Sequence, residues 1–260
     1  YVSPSHDRFA DWIARLEARH LAELTFPEVS RALRALSSTY VERREKLPEG
    51  AALSGAGKRA AFALFYGPLH HLLLTHIVTA LPEATAQVST ILDLGCGTGA
   101  SGAAWAAACR ASPAEAKREG GPRVIGIDRH PWAVQEAAAS YRALGIPATV
   151  RQGDIATASL PKGQVSILAA FTMNELAEPA RDALLARLVE RASQGDRILI
   201  VEPLAGFVAR WWNRWRGTFE AAGGRADEWR LRTGLPPIVA KLDRAAGLNH
   251  REITGRTLWL

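Results

Sequence analysis

Between Asp93 and Ala100 the chain reads Asp-Leu-Gly-Cys-Gly-Thr-Gly-Ala, and every second position from Asp93 to Gly99 is an acid or a glycine. Glycines there let the backbone turn tightly and approach a ligand closely. A helix that follows can turn its N-terminus toward a carboxylate or phosphate. Gly95, Gly97 and Ala100 also satisfy the looser dinucleotide pattern G-x-G-x-x-A, so a nicotinamide enzyme has to be weighed. Three features tilt the balance away from it. Asp93 precedes the first glycine by two residues, where an anion suits a ligand with an ammonium group and sits poorly beside a pyrophosphate. Gly99 extends the glycine run. Asp128 ends the next apolar stretch, where its carboxylate can accept hydrogen bonds from both hydroxyls of a ribose. It lies farther from the loop than the ~20 residues typical of dinucleotide sites, and residues 110–122 read as an inserted loop.

The elements that must position these residues follow from the hydrophobic period. From Val88 onward five apolar runs, 90–94, 124–127, 148–150, 165–170 and 198–201, alternate with helical stretches such as 133–144 and 179–192. Alternating strand and helix predicts a parallel sheet covered on both faces, with ligands beyond the carboxyl ends of its strands. Residues 5–46 read as helices, with a second start at Thr25-Phe26-Pro27-Glu28, where Thr25 can cap and Glu28 can complete a capping box. Residues 1–83 are therefore expected to form an all-helical attachment and 84–260 the α/β domain. At the far end, 204–235 shows no clear strand, 236–246 reads as a helix, and 250–253 with 256–260 suggests a hairpin across Thr254-Gly255.

Asp93-Leu94-Gly95-Cys96-Gly97-Thr98-Gly99 resembles the first motif of class I S-adenosylmethionine (SAM) dependent methyltransferases. Asp128 resembles the second, and Gly153-Asp154-Ile155 the adenine-contacting segment. The likeness spans about residues 88–203. It implies a Rossmann-like α/β fold of seven strands with the last antiparallel, SAM as cofactor, and direct methyl transfer as the reaction. It places Gly95 and Gly97 at the methionine portion, Asp128 at the ribose, and Asp154 with Ile155 at the adenine edge. The cofactor set it implies is Asp93, Gly95, Cys96, Gly97, Gly99, Asp128, Arg129, Asp154, Ile155 and Phe171. Simpler roles remain open: Asp128 and Asp154 can cap following helices, and Cys96 can be a small filler.

The acceptor is expected beyond the fourth strand, at Phe171-Thr172-Met173-Asn174-Glu175-Leu176. This segment has neither an Asn-Pro-Pro-aromatic tetrad nor a cysteine, which argues against methylation of an exocyclic base amine and against covalent attack on a pyrimidine. Asn174 and Glu175 can orient a hydroxyl or amine, with Glu175 as base or, equally, as a helix cap. Tyr66, His70 and His71 are candidates to reach over the site, although a histidine on an apolar face is usually core. Tyr66, His70, Asn174 and Glu175 make up the catalytic set. Glu202-Pro203 is expected to wall the pocket.

The two cysteines, Cys96 and Cys109, make no disulfide framework or metal cluster, so no metal site is expected and a cytoplasmic setting is the natural one. A formal charge of +6 favours a polyanionic partner such as RNA. Arg210-Trp211-Trp212-Asn213-Arg214-Trp215-Arg216 can clamp phosphates and stack bases, or form an amphipathic helix with its tryptophans in the core. Residues 60–81 lack charge over a membrane-spanning length. Gly67-Pro68 within them predicts two shorter buried helices, with no membrane partner.

A second, looser resemblance rests on residues 37–44, 57–63, 171–176 and 200–203. These are similar to the methyltransferase-like factors of the mitochondrial and bacterial small ribosomal subunit. Longer members of that family carry a cysteine cluster after the fifth strand, and residues 202–229 have none. The expected acceptor is ribosomal RNA, on the basic charge and the Arg-Trp run; the alternatives are a small molecule methylated on oxygen or nitrogen, or no acceptor at all in a SAM-binding assembly factor.

Overall fold

The computed structural model describes residues 4–42, 53–112, 121–204 and 211–260. The five predicted strands are β1 (Thr90–Leu94), β2 (Arg123–Asp128), β3 (Ala148–Gln152), β4 (Ser166–Ala170) and β5 (Arg197–Glu202), joined by β6 (Arg225–Leu231) and β7 (Ile253–Trp259). They form one sheet in the order β3-β2-β1-β4-β5-β7-β6. β1 pairs in parallel with β2 and β4, whereas β7 runs antiparallel to both β5 and β6. This is the seven-stranded Rossmann-like sheet with an antiparallel last strand. The chain reverses its direction across the sheet between β1 and β4, so the loops after these two strands open the crevice in which such sheets bind ligands.

Helices α6 (Ala100–Ala111), α7 (Pro131–Ala143), α8 (Glu178–Ser193), α9 (Trp212–Ala221) and α10 (Pro237–Ala246) complete the α/β part. β1, β4 and β5 are buried at nearly every position and mostly apolar, because helices cover both of their faces. Two cores result. One holds Ile91, Trp105, Leu199 and Val201, and the other holds Leu92, Ile167, Ile198, Trp215 and Phe219.

The N-terminal helices are α1 (Pro4–His20), α2 (Phe26–Glu42), α3 (Ala56–Ala61), α4 (Gly67–Ala80) and α5 (Pro82–Thr85). The Thr25 backbone N–H donates to Glu28 Oε2 at 2.8 Å, the half of the capping box that the spacing predicted. Trp12, Leu16, Val29, Leu33 and Leu36 are fully buried in the same core as Ile91 and Trp105. Burying one such side chain contributes about 1.5–3 kcal/mol, and this layer shares one hydrophobic core with the sheet beneath it. Polar ties add to it: Trp12 Nε1 donates to Ser140 Oγ at 3.1 Å, and Glu136 is bonded by Arg19 and His20.

Three expectations are corrected. Pro68 does not divide the apolar stretch into two helices. One helix runs from Ala56 to Ala80, and a π-helical turn, Phe62–Tyr66, takes up the irregularity just before the proline. Most of it is buried inside the protein, as expected of a core helix. The terminal hairpin across Thr254-Gly255 is not formed, because both residues lie within the continuous β7. Its partner is β6, in the stretch that showed no strand signal. Arg-Ala-Asp-Glu-Trp-Arg-Leu is an edge strand carrying four charges, a composition that protects an exposed edge and hides the alternation. The central part of the predicted 110–122 loop, and residues 43–52, lie outside the described residues.

Candidate active site

Past Leu94 the chain turns through Gly95 and Gly97, with φ of 70° and 53°, into Gly99, which caps α6 in the left-handed conformation. At Gly95 a side chain is excluded twice over. The backbone is left-handed, and a β-carbon would stand 2.1 Å from Thr172 Oγ1 in the loop after β4. The two loops therefore touch at this glycine.

Asp128, at the end of β2, fixes the glycine loop from the other side. Its Oδ2 accepts from the Gly97 N–H at 2.9 Å and its Oδ1 from the His130 N–H at 2.8 Å. A carboxylate offers about four lone-pair sites, so two remain for a ligand. Asp93 is buried, and its Oδ2 accepts from the Gly102 N–H at 3.1 Å and the Tyr141 hydroxyl at 2.9 Å. Burial outweighs these bonds and, with the Asp128 charge, raises its pKa to about 7. It ties the start of α6 to β1 while also lining the pocket.

Two adjoining pockets follow the carboxyl ends of the strands and share Gly95, Asp128, Arg129, Thr172 and Glu175. The first runs from the glycine loop, including Cys96, beneath Phe62, Tyr66 and His70 to Phe171, Asn174 and Glu202. The second continues past Gly153, Asp154 and Ile155. Asp154 Oδ1 also accepts from the Ala156 N–H at 2.9 Å, so it shapes its own turn. Every candidate cofactor residue except Gly99 thus lines this trough, Phe171 at its roofed end, and Gly99 supports the loop from the start of the helix.

The roof comes from the long apolar helix. Phe62, Tyr66 and His70 recur every four residues, with Tyr66 5.8 Å from Phe62 and 6.0 Å from His70 between ring centroids. His70 stacks on Phe171 at 3.9 Å and 14°. Phe171 is one of the few non-glycine residues with positive φ, 58°, a strained state held by its N–H bond to the Val201 carbonyl and by this stack. Desolvation lowers the His70 pKa to about 3, so the ring is neutral, and it raises that of the Tyr66 hydroxyl to about 12. His71 does not join them. It points into the core against Phe9 and Trp12, with ring centroids at 4.6 and 5.6 Å.

Glu175 Oε2 lies 3.5 Å from Arg129 Nη2, and burial, the leading cause, raises its pKa to about 7. Asn174 has both ends of its amide engaged: Nδ2 donates to Glu202 Oε2 at 2.6 Å, and Oδ1 accepts from Trp211 Nε1 at 2.9 Å. It braces the acceptor loop, and its amide is already committed. The sequence marks Glu202 only as a wall of the pocket. It is fully buried, accepts also from the Met173 N–H at 2.9 Å, and burial raises its pKa to about 8. Its signal was its place at the carboxyl end of β5; Phe62, also missed, could have been found from its spacing to Tyr66.

The Arg-Trp segment resolves in favour of the lid helix. Trp211, Trp212 and Trp215 are buried against the sheet, Arg256 lies over Trp212 at 4.1 Å, Arg214 pairs with Asp182, and Arg216 pairs with Glu220 at 2.8 Å. These tryptophans present no free faces to a base. Among the described residues no group of side chains is arranged to hold a metal ion.

Residues 91–195 match the family model described as a methyltransferase domain. No curated protein matches the chain in sequence. Among solved structures the chain is similar to a SAM-dependent methyltransferase from Aquifex aeolicus, at 19% identity over 73% of this chain and 90% of that one, with a TM-score of 0.43. It is also similar to the mitomycin 7-O-methyltransferase MmcR, at 15% identity over 99% of this chain and 68% of that one, with a TM-score of 0.49. A third is the tRNA (uracil-54, C5)-methyltransferase of Pyrococcus abyssi, at 16% identity over 73% of this chain and 38% of that one, with a TM-score of 0.44. Likenesses at this level say nothing about the acceptor.

Proposed function

We propose, from the premise that residues 91–195 are the methyltransferase domain of a class I SAM-dependent enzyme, that this chain methylates a small molecule enclosed beneath its N-terminal helices. The observation that carries this reading is the aromatic roof: Phe62, Tyr66 and His70 line the pocket in one row, and His70 stacks on Phe171.

The donor set fits the cofactor. Asp128 has two lone-pair sites left for ribose hydroxyls, and the trough beside it is walled by Asp93, Glu175 and Glu202 with Arg129 as the one arginine among its lining residues. Such a field favours the sulfonium and ammonium charges of SAM and opposes the pyrophosphate of a nicotinamide cofactor. When bound, SAM supplies an electrophilic methyl group on a sulfur that leaves as a neutral thioether. The chain's own part is to hold the acceptor in line, exclude water and manage a proton, and positioning of this kind can remove about 7–11 kcal/mol of a barrier. Phe62, Tyr66, His70 and Phe171 exclude water, Asn174 and Glu202 brace the acceptor loop, and Glu175 stands as the base.

The same carboxylates repel a phosphate backbone, and the Arg-Trp segment has its aromatics in the core. RNA as acceptor is supported by the net charge of +6. The test is incubation with methyl-labelled SAM and, separately, ribosomal RNA with small subunits or the low-molecular-weight fraction of a nuclease-treated cell extract. Label in the small-molecule fraction is the expected result. Label in RNA overturns the small-molecule reading, and tight SAM binding with label in neither fraction points to a non-catalytic assembly role.

A further inference from the structure

Four carboxylates, Asp93, Asp128, Glu175 and Glu202, line one pocket with, among the described residues, a single arginine, Arg129. They share a field. The Asp128 charge raises the pKa of both Asp93 and Glu175, and the Glu175 charge raises that of Glu202, each on top of a larger effect of burial. The sulfonium cofactor relieves this at the glycine-loop end, where Asp93 and Asp128 stand. Glu175, which lines both arms and lies 3.5 Å from Arg129, borders the roofed end, where Glu202 is already engaged by Met173 and Asn174 and the other walls include Phe62, Tyr66, His70, Phe171 and Pro203. Carboxylate beside ring faces is a combination that attracts an organic cation, through its charge and through the ring quadrupoles.

Building on the small-molecule reading above, we infer that the acceptor atom is an amine nitrogen, carried by a small cation held between the Glu175 carboxylate and the aromatic walls of Phe62, Tyr66, His70 and Phe171. The ammonium gives its proton to the Glu175 carboxylate, the base named above, before the transfer. The freed nitrogen lone pair then forms the N–CH3 bond as the methyl–sulfur bond breaks. The positive charge passes from sulfur to nitrogen, sulfur leaves as the thioether of S-adenosylhomocysteine (SAH), and Glu175 returns its proton to water. The aromatic walls that held the ammonium also hold the methylated product cation.

The test uses the whole chain loaded with SAH and two probes of matched shape, 2-phenylethylamine and 2-phenylethanol, titrated calorimetrically at pH 7.5. Cation–π attraction plus one carboxylate predicts that the amine binds at least about tenfold tighter than the alcohol. The near-isosteric Glu175→Gln variant is expected to lose that preference while still binding SAH, which shows that it is folded. Equal or tighter binding of the alcohol, binding of neither probe to SAH-loaded protein, or an amine preference that survives in Glu175→Gln overturns the inference and leaves the small-molecule reading intact. Failure of the wild-type chain to bind SAH sinks the methyltransferase reading itself and the amine inference with it.

Discussion

Replacing Asp128 with alanine removes more than a ribose contact. In the free protein the carboxylate accepts N–H bonds from Gly97 at 2.9 Å and His130 at 2.8 Å, so it clamps the glycine loop to the end of β2. Its two remaining lone-pair sites are those assigned to the ribose hydroxyls. Hydrogen bonds to a charged acceptor contribute about 1.5–3 kcal/mol each, so losing two ligand bonds costs about 3–6 kcal/mol. That is a weakening of roughly a hundredfold to ten-thousandfold in affinity. The loosened loop adds to the loss, because the backbone that should meet the ligand is no longer held in place before binding. The assay is calorimetric titration with SAH, with a thermal melt of the same sample to confirm folding. Affinity within about threefold of the unaltered protein, in a variant that melts cooperatively, would refute the assignment of Asp128 and the reasoning from its free lone pairs.

Other outcomes follow from the same geometry. Gly95→Ala places a methyl 2.1 Å from Thr172 Oγ1 in a left-handed backbone, and a loss of more than about 1 kcal/mol in stability is expected; a melting temperature within a degree of wild type would contradict it. Trp215 is fully buried, so Trp215→Ala should cost about 3–5 kcal/mol and leave any nucleic-acid affinity unchanged; the reverse pattern in a melt and a filter-binding assay would restore the segment as an RNA clamp. Asp93, Glu175 and Glu202 have pKa values raised by burial to about 7, 7 and 8. The free folded protein therefore holds more protons than the unfolded chain between roughly pH 5 and 8, and its stability falls as pH rises through that window. A cationic ligand favours the ionised forms and releases those protons. SAM affinity should thus rise about tenfold from pH 6 to 8, and more steeply than that of SAH, which lacks the sulfonium; a flat or falling profile would mean that Asp93 and the carboxylates sharing its field do not feel the cofactor's charge.

Much of this site was legible in the sequence because its backbone chemistry is local. Asp93, the three glycines and Asp128 announce a strand, a tight turn and a second strand end within a short span, and the structure brings them to one crevice. The apolar runs of β1, β4 and β5 were equally plain, since strands buried on both faces are mostly apolar, and the buried acids that interrupt them, Asp93 and Glu202, line the pocket. What was hidden depended on distant partners. β6 reads as a polar segment because an edge strand is selected to look unlike a strand. Pro68 reads as a break because nothing in its neighbours shows that a π-helical turn will absorb it. Asn174 looks free to orient an acceptor until Glu202, 28 residues on, and Trp211, 37 residues on, are seen to occupy both ends of its amide. The Arg-Trp segment was evenly balanced between two readings, and only the sheet face beneath Trp212 and Trp215 decides it.

The most direct test is a pair of calorimetric titrations on one preparation of the chain, with SAH and with reduced nicotinamide cofactor. Saturable binding of SAH near one equivalent, with no heat from the nicotinamide, is the predicted result. A folded protein that ignores SAH, or that binds the nicotinamide instead, would contradict the assignment of the glycine loop and of the pocket beneath the aromatic roof.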